Sequence, residues 1–432
     1  MSDTLTTTTA EAAEPAGLNP HLLAEDPSVT SFPVASTDAG PSDPTSADGR
    51  AEAEAETAAR VGEFAEQLVG MLGAATELLT IELGRRFGLY RTLHERGPMS
   101  ASTFAADARI APRYAREWLE QQASAGIVAV EEAGPFRHER RFLLPAHCVP
   151  VLVDETHPAH TGPVAGMLAG VALAFPELVA DFRSGRGVAF DEYGTELRRG
   201  LGAVNRPGFT HAMRQWVDTL PDRSAILDEG GAVLDAGCGI GWSTIALAKA
   251  FPNARVVGID LDAASIEEAR GNAREAGLDD RIEFVLGNAA DAELLRRAAR
   301  AAGTTEAGVA GPTDAAASGF DLVTVFEALH DMGRPVDALA ELRALLRPGG
   351  ALLVADERVA DEFHANAEPV ERMLYAMSVL HCLPATTAES AEVANGTVLR
   401  APTLRGWAAK AGFGRVDVLD IDHPFWRFYR IG

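Results

Sequence analysis

The stretch "VLDAGCGIGW", residues 233–242, decides how the rest of the chain is read. An apolar run ends in Asp235, glycines stand at 237, 239 and 241, and apolar residues at helical spacing follow from Trp242. Strand, bare-backbone turn and helix in that order make a ligand corner. In an open α/β sheet, ligands sit beyond the carboxyl ends of the strands, and glycine lets the main chain approach them closely. A dinucleotide fingerprint would read GxGxxG. Trp242 stands where its third glycine would, which turns the reading away from a nicotinamide cofactor.

Outward from that corner, strands and helices alternate. "AVLDA" leads into "WSTIALAKAF", "RVVGID" leads into "AASIEEARGNAREAG", and "RIEFVLG" follows. Then come "FDLVTVFEA", the helix "PVDALAELRALLR", the strand "ALLVADE", a helical stretch near 366–382 and the helix "TLRGWAAKAG". "RPGG", 347–350, is a turn by its own chemistry. "RVDVLDI" and "FWRFYRI" are expected to pair as an antiparallel hairpin edge. The alternation predicts an α/β, doubly wound sheet.

The corner, with Asp235 before the three glycines, resembles motif I of the class I S-adenosylmethionine (SAM) methyltransferases. Asp260 ends the second strand, where a carboxylate can accept hydrogen bonds from both ribose hydroxyls. The third strand ends in "LGNAAD"; in the family this corner flanks adenine and commonly carries an Asp, and Asn288 stands here instead. "LRPGGALLVADE" is similar to the family's late helix-turn-strand signature. The resemblance implies SAM as cofactor, bound by Asp235, Gly237, Cys238, Gly239, Gly241, Asp260, Leu261, Asn288, Ala289 and Phe326. Cys238 can equally be a small packing residue and Phe326 a core aromatic. Glu327 can bond the cofactor's ammonium or cap a helix.

Methyl transfer from a sulfonium is largely a matter of alignment, and a hydroxyl acceptor must also lose its proton. "LHDM", 329–332, resembles the "HDW" segment of plant-type and polyketide O-methyltransferases, whose His is the base. The resemblance implies His330 as general base with Asp356 orienting it, Glu357 being the immediate competitor of Asp356. Met332 replaces the family's Trp. The bland alternative has His330 packing or holding a loop, and both strand-end acids in solvent. Tyr375, Ser378 and His381, spaced i, i+3, i+6, can share a helix face, and with Cys382 they border a candidate acceptor pocket through Ser378 and His381. His330, Asp331, His364 and His381 lack metal-ligand spacing, so no metal is expected.

The remaining chain sets the context. Residues 1–59 hold eleven acids and one base, Arg50, within a formal charge of −24. Residues 1–56 have few apolar anchors and are expected to form a disordered acidic tail. Residues 57–151 read as a helix, then three short helices with Ser100 as an N-cap and Pro112 at a helix start, then two strands joined at Gly134-Pro135. This winged helix-turn-helix domain is similar to the N-terminal domain of a small-molecule methyltransferase branch, which implies a homodimer. Its charge is balanced, with eleven acids and eleven bases over 60–150, so nucleic acid is not an expected partner. Residues 152–222 form a helical bridge, and 223–432 the SAM-binding domain. The bridge's run from Gly162 to Ala180 is broken by Pro163, Pro176 and Glu177, so a buried helix over a pocket is preferred to a membrane span. Its Gly/Ala/Phe composition favours a hydrophobic or aromatic small-molecule acceptor. Three cysteines without CxxC spacing suit a reducing cytoplasm, and the first residues lack the basic start of a signal peptide. Residues 302–319 are a low-complexity insertion. The rival readings are a SAM-responsive winged-helix transcriptional regulator and a nicotinamide oxidoreductase.

Overall fold

The computed structural model describes residues 47–131, 140–303, 319–365 and 367–432. The acidic tail to residue 46, the Gly134-Pro135 turn and most of the 302–319 insertion lie outside the described residues.

The first described element is one helix, Ala47–Arg86. It begins inside the stretch expected to be disordered. The reason is compositional: "AEAEAETAAR" is built from Ala and Glu, two of the strongest helix formers, and needs no core to favour a helical backbone. Three short helices follow, Leu89–Arg96, Ala101–Ala108 and Pro112–Ser124. Ser100 caps the second by accepting from the Thr103 amide at 3.2 Å, and Pro112 opens the third. Strands β1 (Ala129–Glu131) and β2 (Arg141–Leu143) pair antiparallel as the wing. Leu89, Leu93, Phe104, Trp118, Leu119 and Phe142 form this domain's own core.

Strands β3 (Ala232–Ala236), β4 (Arg255–Asp260), β5 (Ile282–Leu286), β6 (Phe320–Phe326), β7 (Leu346–Glu357), β8 (Val416–Val418) and β9 (Trp426–Ile431) make one seven-stranded sheet in the order β5-β4-β3-β6-β7-β9-β8. The first five are mutually parallel, and β9 runs antiparallel between β7 and β8. Every residue of β3 and β6 is buried, as expected of strands covered on both faces. The strand order reverses between β3 and β6, so their carboxyl ends open the switch-point crevice. The Arg347–Gly350 turn lies within β7 and is absorbed as a register shift against β6.

The bridge contains helices Val164–Ser184 and Gly194–Asp218, which pack on each other. A Cβ on Gly170 would meet that of Leu197 at 2.6 Å, so glycine is what permits their approach. Among the described residues Val164–Ser184 is the one helix long and apolar enough to cross a membrane. Helix Gly194–Asp218 is not a detached cover. Its Phe209, Met213, Trp216 and Val217 join the sheet core, with Trp216 tilted against Phe428 at 5.0 Å and Phe209 against Phe326 at 5.6 Å. Buried rings of this size contribute about 1.5–3 kcal/mol each, so the bridge is anchored on the sheet rather than hung beside it.

Candidate active site

The glycine corner follows β3. Its amides are pinned across the switch point: Gly237 and Cys238 both donate to the Ile259 carbonyl, at 2.8 and 3.0 Å. Gly237 and Gly241 are packed too tightly for a side chain, a Cβ meeting Ala328 at 2.4 Å and Ala269 at 2.9 Å respectively. Gly239 differs. Its φ is +50°, and a Cβ there would meet nothing within 4 Å. The main chain at 239 therefore faces open space.

Asp260 borders that space. One carboxylate oxygen accepts from the Gly239 amide at 2.8 Å and the other from the Asp262 amide at 2.9 Å. Burial raises its pKa to about 6 against the opposing pull of those two amides. Each oxygen keeps a lone pair, so the acid can still accept two hydroxyl donors. Leu261, beside it, is half-exposed. Open main chain, a buried acid short of donors and an adjacent apolar face fit the ribose and adenine of SAM.

Five of the expected cofactor residues also have partners within the protein. Asp235 is buried and accepts from Ser243 at 2.6 Å, Thr244 at 2.7 Å and Thr324 at 2.8 Å. Three hydroxyls hold this buried acid behind the corner. Asn288 donates its amide to Glu389 at 2.6 Å and accepts from the Ala290 amide at 2.8 Å, which fixes the orientation of the group expected to read adenine. Its neighbour Ala289 packs on the sheet core. Phe326 and Cys238 are both core residues.

Beyond β6 the chain turns at Glu327, whose φ of +51° is costly for a side-chain-bearing residue. A single 3-10 turn, Leu329–Asp331, then carries His330. His330 Nδ1 lies 2.8 Å from Asp356 Oδ1, and the His330 amide donates to Asp356 Oδ2 at 3.3 Å. Asp356 thus holds ring and backbone together, fixing the proton on Nδ1. His330, Asp356 and Glu357 are all buried, so neither acid is a strand-end charge in solvent. Nε2 of His330 lies 3.3 Å from Asp331 Oδ1. Burial opposes a charge on this ring, but Asp331 and then Asp356 outweigh it and raise His330 well above its ordinary 6.5.

Opposite stands the helix Pro369–Met377, which widens into a π-helical turn, Ser378–Cys382, before Leu383–Glu389. Cys382, at the end of that turn, reaches His330. A nitrogen of His330, an oxygen of Asp331 and the Cys382 sulfur all lie within 4.8 Å of one another. The Cys382 thiol is pushed up to about 12 by burial, so it is protonated at neutral pH. Ser378 and His381 are buried there too, with the His381 ring edge-on to Tyr193 at 4.7 Å.

Several residues that hold the site together were not singled out by sequence. Glu389 bridges the Asn288 amide and the Gly333 backbone, the latter at 2.8 Å. Asn205 of the bridge donates to Glu327. Arg198 pairs with Asp262 at 2.7 Å. Each partnership joins residues more than fifty positions apart, and no local pattern marks it.

Comparison with known proteins bears on the domains and the fold. Residues 227–398 match the family described as a methyltransferase domain, and residues 74–153 match the Rv2258c-like winged HTH domain. The chain is 29% identical over 157 residues to a malonyl-[acyl-carrier protein] O-methyltransferase of Halalkalibacterium halodurans, covering 36% of this chain and 49% of that one. It is 29% identical over 197 residues to a demethylmenaquinone methyltransferase of Clavibacter sepedonicus, covering 44% of this chain and 67% of the relative. The chain thus spans about half to two thirds of the length of these relatives. Among solved structures, the mitomycin 7-O-methyltransferase MmcR superposes with a TM-score of 0.58 at 19% identity, over 87% of this chain and 99% of that one. Human N-acetylserotonin methyltransferase in complex with SAM does so with a TM-score of 0.59 at 15% identity, over 85% and 97%. At such identities the likeness is one of fold. Residues 227–398 are thus similar to the methyltransferase domain family, and residues 74–153, before them, to a winged helix-turn-helix domain.

Proposed function

We propose that this chain transfers a methyl group from SAM to a hydroxyl oxygen of a small-molecule acceptor, with His330 as general base. The observation that carries the reading is the buried 2.8 Å contact between His330 Nδ1 and Asp356. It leaves Nε2 as the one ring nitrogen able to take a proton. The cofactor supplies an electrophilic methyl carbon on a sulfonium. The chain's part is to hold the acceptor in line and to accept its hydroxyl proton at Nε2, with Asp356 stabilising the imidazolium that results. Asp260 and the main chain at Gly239 are the proposed cofactor contacts. Ser378 and His381, with the bridge, are the proposed walls of the acceptor pocket. The apolar bridge suits a hydrophobic or aromatic acceptor. Incubating the protein with methyl-labelled SAM and a small-molecule extract, then finding the labelled product by mass spectrometry, tests the activity directly.

A base must be neutral to act, and His330 is held above its ordinary pKa chiefly by Asp331 once burial is overcome. Turnover is therefore expected to rise with pH through neutrality. Asp331→Asn should shift the rising limb of the kcat/KM profile toward acid, since it removes a neighbouring charge that raises the His330 pKa. An unmoved limb would assign it to another group.

A homodimer is part of the same reading. Val61, Phe64, Leu68, Leu72, Leu79 and Leu83 recur at three, four or seven positions along one helix and are exposed. Leu173, Phe175, Val179 and Phe182 are exposed on the bridge helix of which part packs against it. So much uncovered apolar surface marks an association face. Light scattering on the full chain should give about twice 45.6 kDa, and Phe64→Asp with Leu68→Asp should give a single chain's mass. A wild-type chain that is monomeric at micromolar concentration contradicts the dimer.

A further inference from the structure

The turn that carries His330 is held at both ends. Asp356 holds the near end, accepting from the His330 amide at 3.3 Å and standing 2.8 Å from Nδ1. The far end is Gly333, whose amide donates to Glu389 Oε2 at 2.8 Å. A Cβ on Gly333 would meet the Ser390 nitrogen at 2.8 Å and the Glu389 Cβ at 3.0 Å, so glycine is what lets the two segments approach this closely. Thr386, three residues before Glu389, donates to the Cys382 carbonyl at 2.6 Å and lies 3.4 Å from the His330 carbonyl. The helix Leu383–Glu389 therefore packs along the turn instead of meeting it at one atom.

Glu389 has a second partner. Its Oε1 accepts from Asn288 Nδ2 at 2.6 Å. Asn288 follows directly on Gly287, whose amide donates to the Asp260 carbonyl at 2.8 Å. Leu286, before it, is the register partner of Asp260 in the sheet. One carboxylate thus joins the turn after β6 to the strand end beside the proposed ribose acid. The helix that carries it is fixed from behind by the bridge. The Val188 amide donates to the Pro384 carbonyl at 3.1 Å, and a Cβ on Gly187 would strike the Ala388 main chain.

The two bonds require two acceptors. Asn288 Oδ1 accepts from the Ala290 amide at 2.8 Å, which turns Nδ2 toward Glu389. The Gly333 amide can only donate. A carboxylate offers an acceptor oxygen to each, whereas a glutamine has one acceptor oxygen and one donor nitrogen. The same count bears on residue 288. An aspartate there would set a second carboxylate against that of Glu389, and two acids in contact cannot both ionise cheaply.

We propose that Glu389 is a positioning residue for methyl transfer, setting the His330 turn against the cofactor corner through Gly333 and Asn288. The proposal rests on the methyl-transfer reading. A displacement of about 1 Å at the reacting atoms can cost roughly two decades in rate. Loss of one anchor should therefore appear in kcat and not in binding.

Three variants of the full chain test it: Glu389→Gln, Asn288→Asp and the two together. The first leaves one donor without an acceptor, and the second brings two acids together. The double variant restores both bonds with one reversed, since the new amide donates to the new carboxylate while its oxygen accepts from Gly333. Amide hydrogen exchange needs neither SAM nor an acceptor. In each single variant, segment 286–291 or segment 327–334 should exchange about fivefold faster, as expected for the loss of roughly one hydrogen bond. The double variant should slow it again. With the acceptor recovered by the labelling experiment, each single variant should lose about tenfold or more in kcat, while acceptor KM and S-adenosylhomocysteine affinity stay within a few-fold of wild type. The double variant should recover most of that loss. Unchanged exchange in the single variants, or no recovery in the double variant, overturns the proposal. A loss of S-adenosylhomocysteine affinity equal to the loss of kcat also overturns it, and assigns the pair to cofactor binding. Absence of any labelled product with the wild type overturns the transfer reading and this role with it, even where exchange shows Glu389 holding the turn.

Discussion

Replacing Asp260 with alanine is expected to weaken SAM binding about a hundredfold. The acid is buried at the end of β4, and both its oxygens already steady the corner through the Gly239 and Asp262 amides. Two ribose hydroxyls donating to it would form two hydrogen bonds to a charged group. At about 1.5 kcal/mol each, the lower end for such bonds, their loss corresponds to roughly two decades in affinity. Calorimetric titration with S-adenosylhomocysteine measures this without any acceptor. The same residue predicts a pH dependence. Burial holds the carboxyl near 6, and the ligand's hydroxyls favour the ionised form. Affinity should therefore fall as pH drops below about 6 in the wild type, and that slope should vanish in Asp260→Ala. An affinity within threefold of wild type would place the cofactor elsewhere.

What was legible in the sequence is what local pattern encodes. The strand, the glycines and the helix after them are contiguous, and a change of periodicity marks each boundary, so the corner and the sheet around it could be read directly. The place of Asp260 was legible because it closes the apolar run of its strand. The Ser100 cap and Pro112 start gave the winged domain for the same reason. What local pattern does not encode is long-range pairing. Sequence places Asp235 in the turn but does not show the three hydroxyls that converge on it, one of them from Thr324. The partner of Asn288, Glu389, lies 101 residues away. The π-helical turn at Ser378–Cys382 was not legible, since nothing in its local pattern departs from a 3.6-residue count. Helix Ala47–Arg86 began earlier than expected because the absence of apolar anchors was given more weight than the helix propensity of Ala and Glu.

The second large effect concerns His330. Removing its ring is expected to lower the rate of methyl transfer by about two to four orders of magnitude, the usual contribution of a positioned general base, with cofactor affinity nearly unchanged. His330→Ala alone is an imperfect probe, because it leaves Asp356 buried without its partner, a situation that can cost about 3–5 kcal/mol of stability. His330→Asn removes that objection. Its amide nitrogen sits close to where Nδ1 does and can still donate to Asp356, while nothing replaces Nε2. If the histidine only braces the loop between β6 and the following helix, asparagine should preserve most of the rate. If it takes the acceptor's proton, asparagine and alanine should be equally poor. The most direct measurement is thus the single-turnover rate of methyl transfer at saturating SAM for the wild type and His330→Asn, with the acceptor recovered by the labelling experiment. We expect a fall of at least about a hundredfold, together with S-adenosylhomocysteine affinity within about threefold of wild type. A His330→Asn rate within a few-fold of wild type would contradict the account.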